Sequence, residues 1–118
     1  MHRFKELEIW KRSRIFCSNV YDLTSKFPQS ETFGLTNQLR RASVSLPSNI
    51  AEGSSRTSNK EFSRFLEITL GSAYEIETQL LIAFDLNFIE ETEMDDLLKE
   101  LQEIIKMVSK FKTALKQA

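Results

Sequence analysis

The sequence predicts an all-α protein, an antiparallel up-down-up-down four-helix bundle with a kinked second helix, and three observations carry this. Apolar residues recur at helical steps of three and four in four separate stretches. Short breaks at Phe27-Pro28, Ser54–Thr57 and Asn87 divide those stretches. No run shows the period of two that a half-buried strand needs, and no repeat or low-complexity tract appears. A chain of 118 residues is the length of one domain, so residues 1–118 are read as a single bundle with enough core to fold without staples.

The first helix carries Trp10, Phe16, Cys17, Val20, Tyr21 and Leu23 and runs to about Ser25. Phe27-Pro28 ends it, because the residue before a proline is biased away from the helical region. Trp10 and Tyr21 have polar tips that would suit a subunit seam, but their spacing favours the core. Cys17 stands alone in the chain, which excludes an intramolecular disulfide, and its place in the apolar pattern is that of a small buried thiol.

The remaining helices are organised around Gly34–Gly53, GLTNQLRRASVSLPSNIAEG. Leu35, Leu39, Ala42, Leu46 and Ile50 form one stripe, leaving Arg40, Arg41, Ser45 and Glu52 to other faces. Ser30 is the expected N-cap and Gly53 the expected terminator of a helix from about Glu31 to Glu52. Pro47 removes an N–H and crowds the carbonyl of Ser43, so a kink or an early stop is expected there; the stripe continuing to Ile50 favours the kink.

Ser58 and Glu61 have capping-box spacing before a third helix, whose seam is Phe62, Leu66, Thr69, Ala73, Ile76, Leu80 and Ala83 up to about Leu86. Gly71 in its middle suggests close approach of a neighbouring helix. Asn87 terminates this helix, and Thr92 with Asp95 repeats the capping spacing before Leu97, Leu101, Ile104, Ile105, Val108 and Leu115. Phe65, Ile68, Tyr74, Leu81 and Phe88 lie off the third helix's seam. That surface is wider than one side of a monomeric bundle needs, which marks these five residues as a candidate subunit interface.

Most catalytic chemistry is poorly supplied. His2 is the only histidine and stands at the terminus, so hydrolytic triads and zinc sites lack ligands. Three scattered glycines make no phosphate loop, and the Glu-x-x-His pairs of di-metal bundles are missing. No enzyme, cofactor or metal is therefore expected. The acids Glu90, Glu91, Glu93, Asp95 and Asp96 gather at a helix N-terminus, where the helix dipole is sufficient cause. Seven charges within the first fourteen residues exclude a signal peptide or membrane span, so a cytoplasmic protein is expected.

Net charge is −1, but residues 1–64 hold 11 basic against 6 acidic side chains and residues 65–118 hold 5 against 11. Attraction between halves, within one chain or between neighbouring subunits, accounts for this asymmetry. A basic surface for RNA or DNA is the sharper alternative, built from Arg40, Arg41, Arg56, Lys60 and Arg64, although no aromatic platform for bases is evident beside them. Glu75 lies beside the seam, either partly buried and paired with Arg40 or Arg41, or on a solvated face.

Phe4–Leu7 with Trp10, Phe33-Gly34-Leu35-Thr36, Gln38–Ala42, Asn49–Gly53, Lys60-Glu61-Phe62, Gly71-Ser72 and Glu75 with Gln79-Leu80 form a combination that resembles the 23S ribosomal RNA intervening-sequence proteins. The same family resemblance extends to the accessory variability determinant proteins of diversity-generating retroelements. It implies a four-helix bundle assembling as a ring, commonly a homopentamer. Members encoded within ribosomal RNA insertions have no settled function, whereas retroelement members are basic oligomers that bind nucleic acid and a reverse transcriptase. With a pI near 5.9, this chain departs from that basic pattern. The expected function is therefore a non-enzymatic, ring-forming scaffold whose partner is another protein or only itself; a nucleic-acid accessory protein that binds RNA or DNA is the alternative.

Overall fold

The computed structural model describes residues 2–117. Four helices, α1 (Glu8–Thr24), α2 (Leu35–Ser54), α3 (Asn59–Asp85) and α4 (Glu91–Gln117), are joined by short turns, with single 3-10 turns at Phe4–Glu6 and Gln29–Glu31. No strand occurs among the described residues. Each helix packs on its sequence neighbours, and α1 closes the square against α4.

Side-chain pairs show the direction of each neighbour. Arg12, Asn19 and Lys26 of α1 and the turn after it meet Glu103, Glu100 and Glu93 of α4, in falling order. Arg40 donates to Thr24 while Ser43 donates to Cys17. Gln38 meets Gln79, and Gly53 meets Phe62 and Phe65. Asn59 at the start of α3 donates to the carbonyl of Leu115 near the end of α4. Adjacent helices therefore run antiparallel.

The apolar stripes become the core. All five stripe residues of α2 and all seven seam residues of α3 are buried, joined by Phe16 and Val20 of α1 and by Leu101, Ile104 and Val108 of α4. The Ser58 hydroxyl accepts from the Glu61 N–H at 3.2 Å, capping α3 as its spacing requires. At the other end Asn87 takes φ 62°, and the N–H groups of Phe88 and Asn87 donate to the carbonyls of Ala83 and Phe84, closing a Schellman turn.

Several local expectations are corrected. α2 begins at Leu35, four residues later than its spacing implied, because Gln29–Glu31 forms a separate turn and the Glu31 carboxylate, not Ser30, accepts from the Leu35 N–H at 3.1 Å. The helix continues through Pro47 to Ser54, so the proline does not stop it. Gly53 is helical and not a terminator: a Cβ there would stand 2.7 Å from Phe65 Cβ and 2.8 Å from Phe62 Cδ1. Gly71 shows the reverse, since nothing lies within 4 Å of a Cβ built on it. At α4 the capping pair is Glu90 with Glu93, whose carboxylate accepts from the Glu90 N–H at 3.1 Å, and not Thr92 with Asp95. Tyr21 is exposed beneath Arg40, while Trp10 and Cys17 are half-buried.

Candidate interaction surfaces

The basic residues that lie close in sequence separate in space. Arg40 and Arg41 sit in the first half of α2, beside the end of α1. Arg56, Lys60 and Arg64 lie at the opposite end of the bundle, where α2 turns into α3. At the helical rise, the 16 residues from Arg40 to Arg56 separate the two groups by roughly 24 Å.

Two of the five arginine and lysine side chains are engaged within the chain. Arg40 donates through Nε to Thr24 Oγ1 at 2.8 Å and covers the Tyr21 ring, its guanidinium carbon 4.6 Å from the ring centre. Arg56 pairs with Glu52 at 3.2 Å and lies over Phe65. Among the described residues, Arg41, Lys60 and Arg64 form no ion pair. Glu75 is exposed and pairs with neither Arg40 nor Arg41; its carboxylate is 3.5 Å from Gln79 Nε2.

Gln79 is buried between α2 and α3 and also donates to Gln38. This short polar bridge escaped the periodic reading because a glutamine in an apolar seam gives no positional signal. At the start of α3, Lys60 and Arg64 line a cleft of about 500 Å³ together with Glu67 and Lys116. Glu67 is held below the ordinary glutamate range chiefly by its hydrogen bond with Lys112 and then by that ammonium's charge, with Lys116 and Arg64 adding to it.

A second cleft, about 670 Å³, opens where α1 turns into α2. Arg40, Arg41, Tyr21, Thr36 and Phe33 line it, and Phe33 is 93% exposed. Periodicity does not reveal this aromatic group beside Arg40 and Arg41, because one phenylalanine in a turn belongs to no periodic pattern.

Of the five candidate interface residues, Ile68, Tyr74 and Leu81 are open on the outer face of α3, joined by Ile82. Phe65 is half-buried under Arg56, and Phe88 is half-buried against Phe27 with ring centres 5.6 Å apart. His2 packs on the edges of Phe62 and Phe111. No group of three or more potential metal ligands occurs among the described residues. Among the described residues, no helix is long and apolar enough to cross a membrane.

A bundle of this shape, with residues 5–110 matching the model of the 23S rRNA-intervening sequence protein, settles the kinship. The chain belongs to that family. A crystal structure of a protein with unknown function from the S23 ribosomal protein family of Bacteroides thetaiotaomicron VPI-5482 superposes with a TM-score of 0.82 at 22% identity, covering 88% of this chain and 97% of that one. That likeness shows the fold. No curated protein matches the sequence significantly.

Proposed function

We propose that this member of the 23S rRNA-intervening sequence protein family is a non-enzymatic scaffold that works in the cytoplasm as a homo-oligomer. The observation that carries this reading is the outer face of α3, where Ile68, Tyr74, Leu81 and Ile82 are 51, 56, 43 and 42% exposed although the helix's own seam is fully buried. Apolar side chains grouped on one helix face are the usual mark of a surface that another protein covers. The motifs shared with ring-forming relatives support five copies, and the opposite charge of the two halves of the chain supports contact between copies. Size exclusion with light scattering tests the reading: the expected mass is a multiple of 13.7 kDa, five-fold for a pentamer, and a 13.7 kDa species at micromolar concentration would refute it.

A nucleic-acid role is the second reading, supported by Arg41, Lys60 and Arg64, which have no ion-pair partner among the described residues, and by the sequence likeness to retroelement accessory proteins. Titration with structured RNA and duplex DNA at two salt concentrations tests it, because binding through phosphates weakens steeply as salt rises. Binding untouched by Arg41→Ala with Lys60→Ala would count against this surface.

A further inference from the structure

Where α1 turns into α2, the cleft of about 670 Å³ brings Phe33, Arg40 and Arg41 together, and none of the side chains that line it is a carboxylate. The acids around it are engaged elsewhere. Asp22 lines a separate cleft on the α4 flank of α1, Glu31 accepts from the Leu35 N–H, and Glu93 is paired with Lys26. Residues 35–51 of α2, which form one wall, include no aspartate or glutamate.

Arg40 lacks a counter-charge. It is half-buried, yet it has no ion-pair partner among the described residues. A guanidinium partly withdrawn from water costs free energy, and an anionic ligand offsets that cost. Its position is fixed before any ligand arrives. Nε donates to Thr24 Oγ1 at 2.8 Å, Thr24 in turn donates to the Val20 carbonyl at 2.8 Å, and the Tyr21 ring centre lies 4.6 Å from the guanidinium carbon. Such a fork is well matched to phosphate, and Arg41 adds a second charge from the next position on α2.

Phe33 supplies the other half of the site. At 93% exposure its ring is almost bare of contacts within the chain, and a flat aromatic face beside two guanidiniums suits a planar ring that carries a phosphate. A carboxylate-bearing peptide would satisfy the arginines but leave that face unused. The amides of Gln29 and Asn37, also in the lining, are able both to donate to and to accept from the edge of a base. The volume falls within the range of about 300 to 1,000 Å³ typical of small-ligand sites.

We infer that this cleft binds a nucleotide, its base stacked on Phe33 and its phosphate held by Arg40 and Arg41. A free nucleoside phosphate and the phosphorylated end of a single strand present the same chemistry. The site goes beyond the scaffold reading, and it stands whether or not long nucleic acid binds at Lys60 and Arg64.

Isothermal titration calorimetry tests this with the whole chain in whatever assembly it forms. Adenosine 5′-monophosphate should bind saturably at millimolar concentration, and ribose 5-phosphate should bind at least about tenfold more weakly because it has no base to stack. Phe33→Ala should remove that difference. Arg41→Ala should weaken both ligands at least about fivefold. Both positions are exposed, and circular dichroism melting establishes that each variant is folded.

A single-stranded RNA with a 5′-phosphate that binds more tightly than the mononucleotide, and loses that binding in the same variants, would identify a strand end as the ligand. No such gain would identify the free nucleotide. Both outcomes support the site, and the second counts only against the nucleic-acid reading. Absence of binding by adenosine 5′-monophosphate, whether from want of affinity or because another copy covers Phe33, would overturn the inference. So would equal affinity for adenosine 5′-monophosphate and ribose 5-phosphate, or binding untouched by Phe33→Ala.

Discussion

The two ends of the bundle treat the same kinds of residue differently. Where α2 turns into α3, Gly53 lets Phe62 and Phe65 approach the helix, Phe62 packs on Phe111, and His2 covers both rings. Arg56 is paired with Glu52 and lies over Phe65, and Asn59 is tied to Leu115. At the other end Phe33 stands in solvent, Leu86 is half exposed, and Arg41, Asp85 and Glu91 have no ion-pair partner among the described residues. The first end packs its aromatic rings and Arg56 within one chain, although Lys60 and Arg64 there form no ion pair among the described residues; the second leaves Phe33 and Arg41 open beside the Lys26–Glu93 and Phe27–Phe88 pairs. Composition does not distinguish these ends, and only packing shows which arginine is occupied.

The comparison breaks first if the shared core is not what holds both ends. Leu39 and Leu80 are fully buried, so Leu39→Ala or Leu80→Ala should cost about 2 to 5 kcal/mol in chemical denaturation. An unchanged midpoint for both would remove the bundle as described.

The glycines sharpen the comparison with smaller effects of opposite sign. Gly53→Ala forces a methyl group against Phe65 and Phe62 and should destabilise by about 1 to 3 kcal/mol. Gly71→Ala meets open space in mid-helix and should stabilise by about 0.5 to 1 kcal/mol. Equal effects at the two positions would contradict the close approach of α2 and α3 at the packed end.

At the open end, Phe33→Ala should change the stability of the isolated fold by less than about 0.5 kcal/mol, because the ring is almost free of contacts within its own chain. A large loss of stability would show that the ring packs in its own bundle.

The smallest effect concerns pH. Glu93 is held below the ordinary glutamate range first by the Glu90 N–H and then by Lys26. A depressed carboxylate contributes stability that is fully present above its unfolded pKa and lost as pH falls through the folded one. Acid titration of wild type against Glu93→Gln should therefore show the two melting curves converging as the medium becomes more acidic. A difference that persists undiminished at low pH would contradict the cap and the Lys26 pair.

Much of the fold was legible because periodicity is a statement about burial. Phe62, Leu66, Thr69, Ala73, Ile76, Leu80 and Ala83 share a helix face whatever the partners, and the face had to be covered. Local chemistry was less legible where one residue type serves two purposes. Gly53 reads as a helix stop but permits close packing, while Gly71 reads as close packing and meets nothing. Ser30 has the right identity for a cap, yet the Glu31 carboxylate reaches the free N–H of Leu35 instead. The basic cluster appeared because Arg40 and Arg41 precede Arg56, Lys60 and Arg64 by few residues in sequence, but the length of α2 puts the two groups at opposite ends. Phe33 was visible only as part of the Phe33-Gly34-Leu35-Thr36 motif, and its exposure was not, since exposure of one turn residue is a property of the tertiary structure.

The most direct measurement is light scattering of the wild-type chain across salt concentration. The proposed self-assembly, with the basic first half of one copy attracting the acidic second half of the next, predicts a multiple of 13.7 kDa at low salt and a falling mass as screening increases. A mass of 13.7 kDa at micromolar concentration in every salt would contradict the proposed self-assembly.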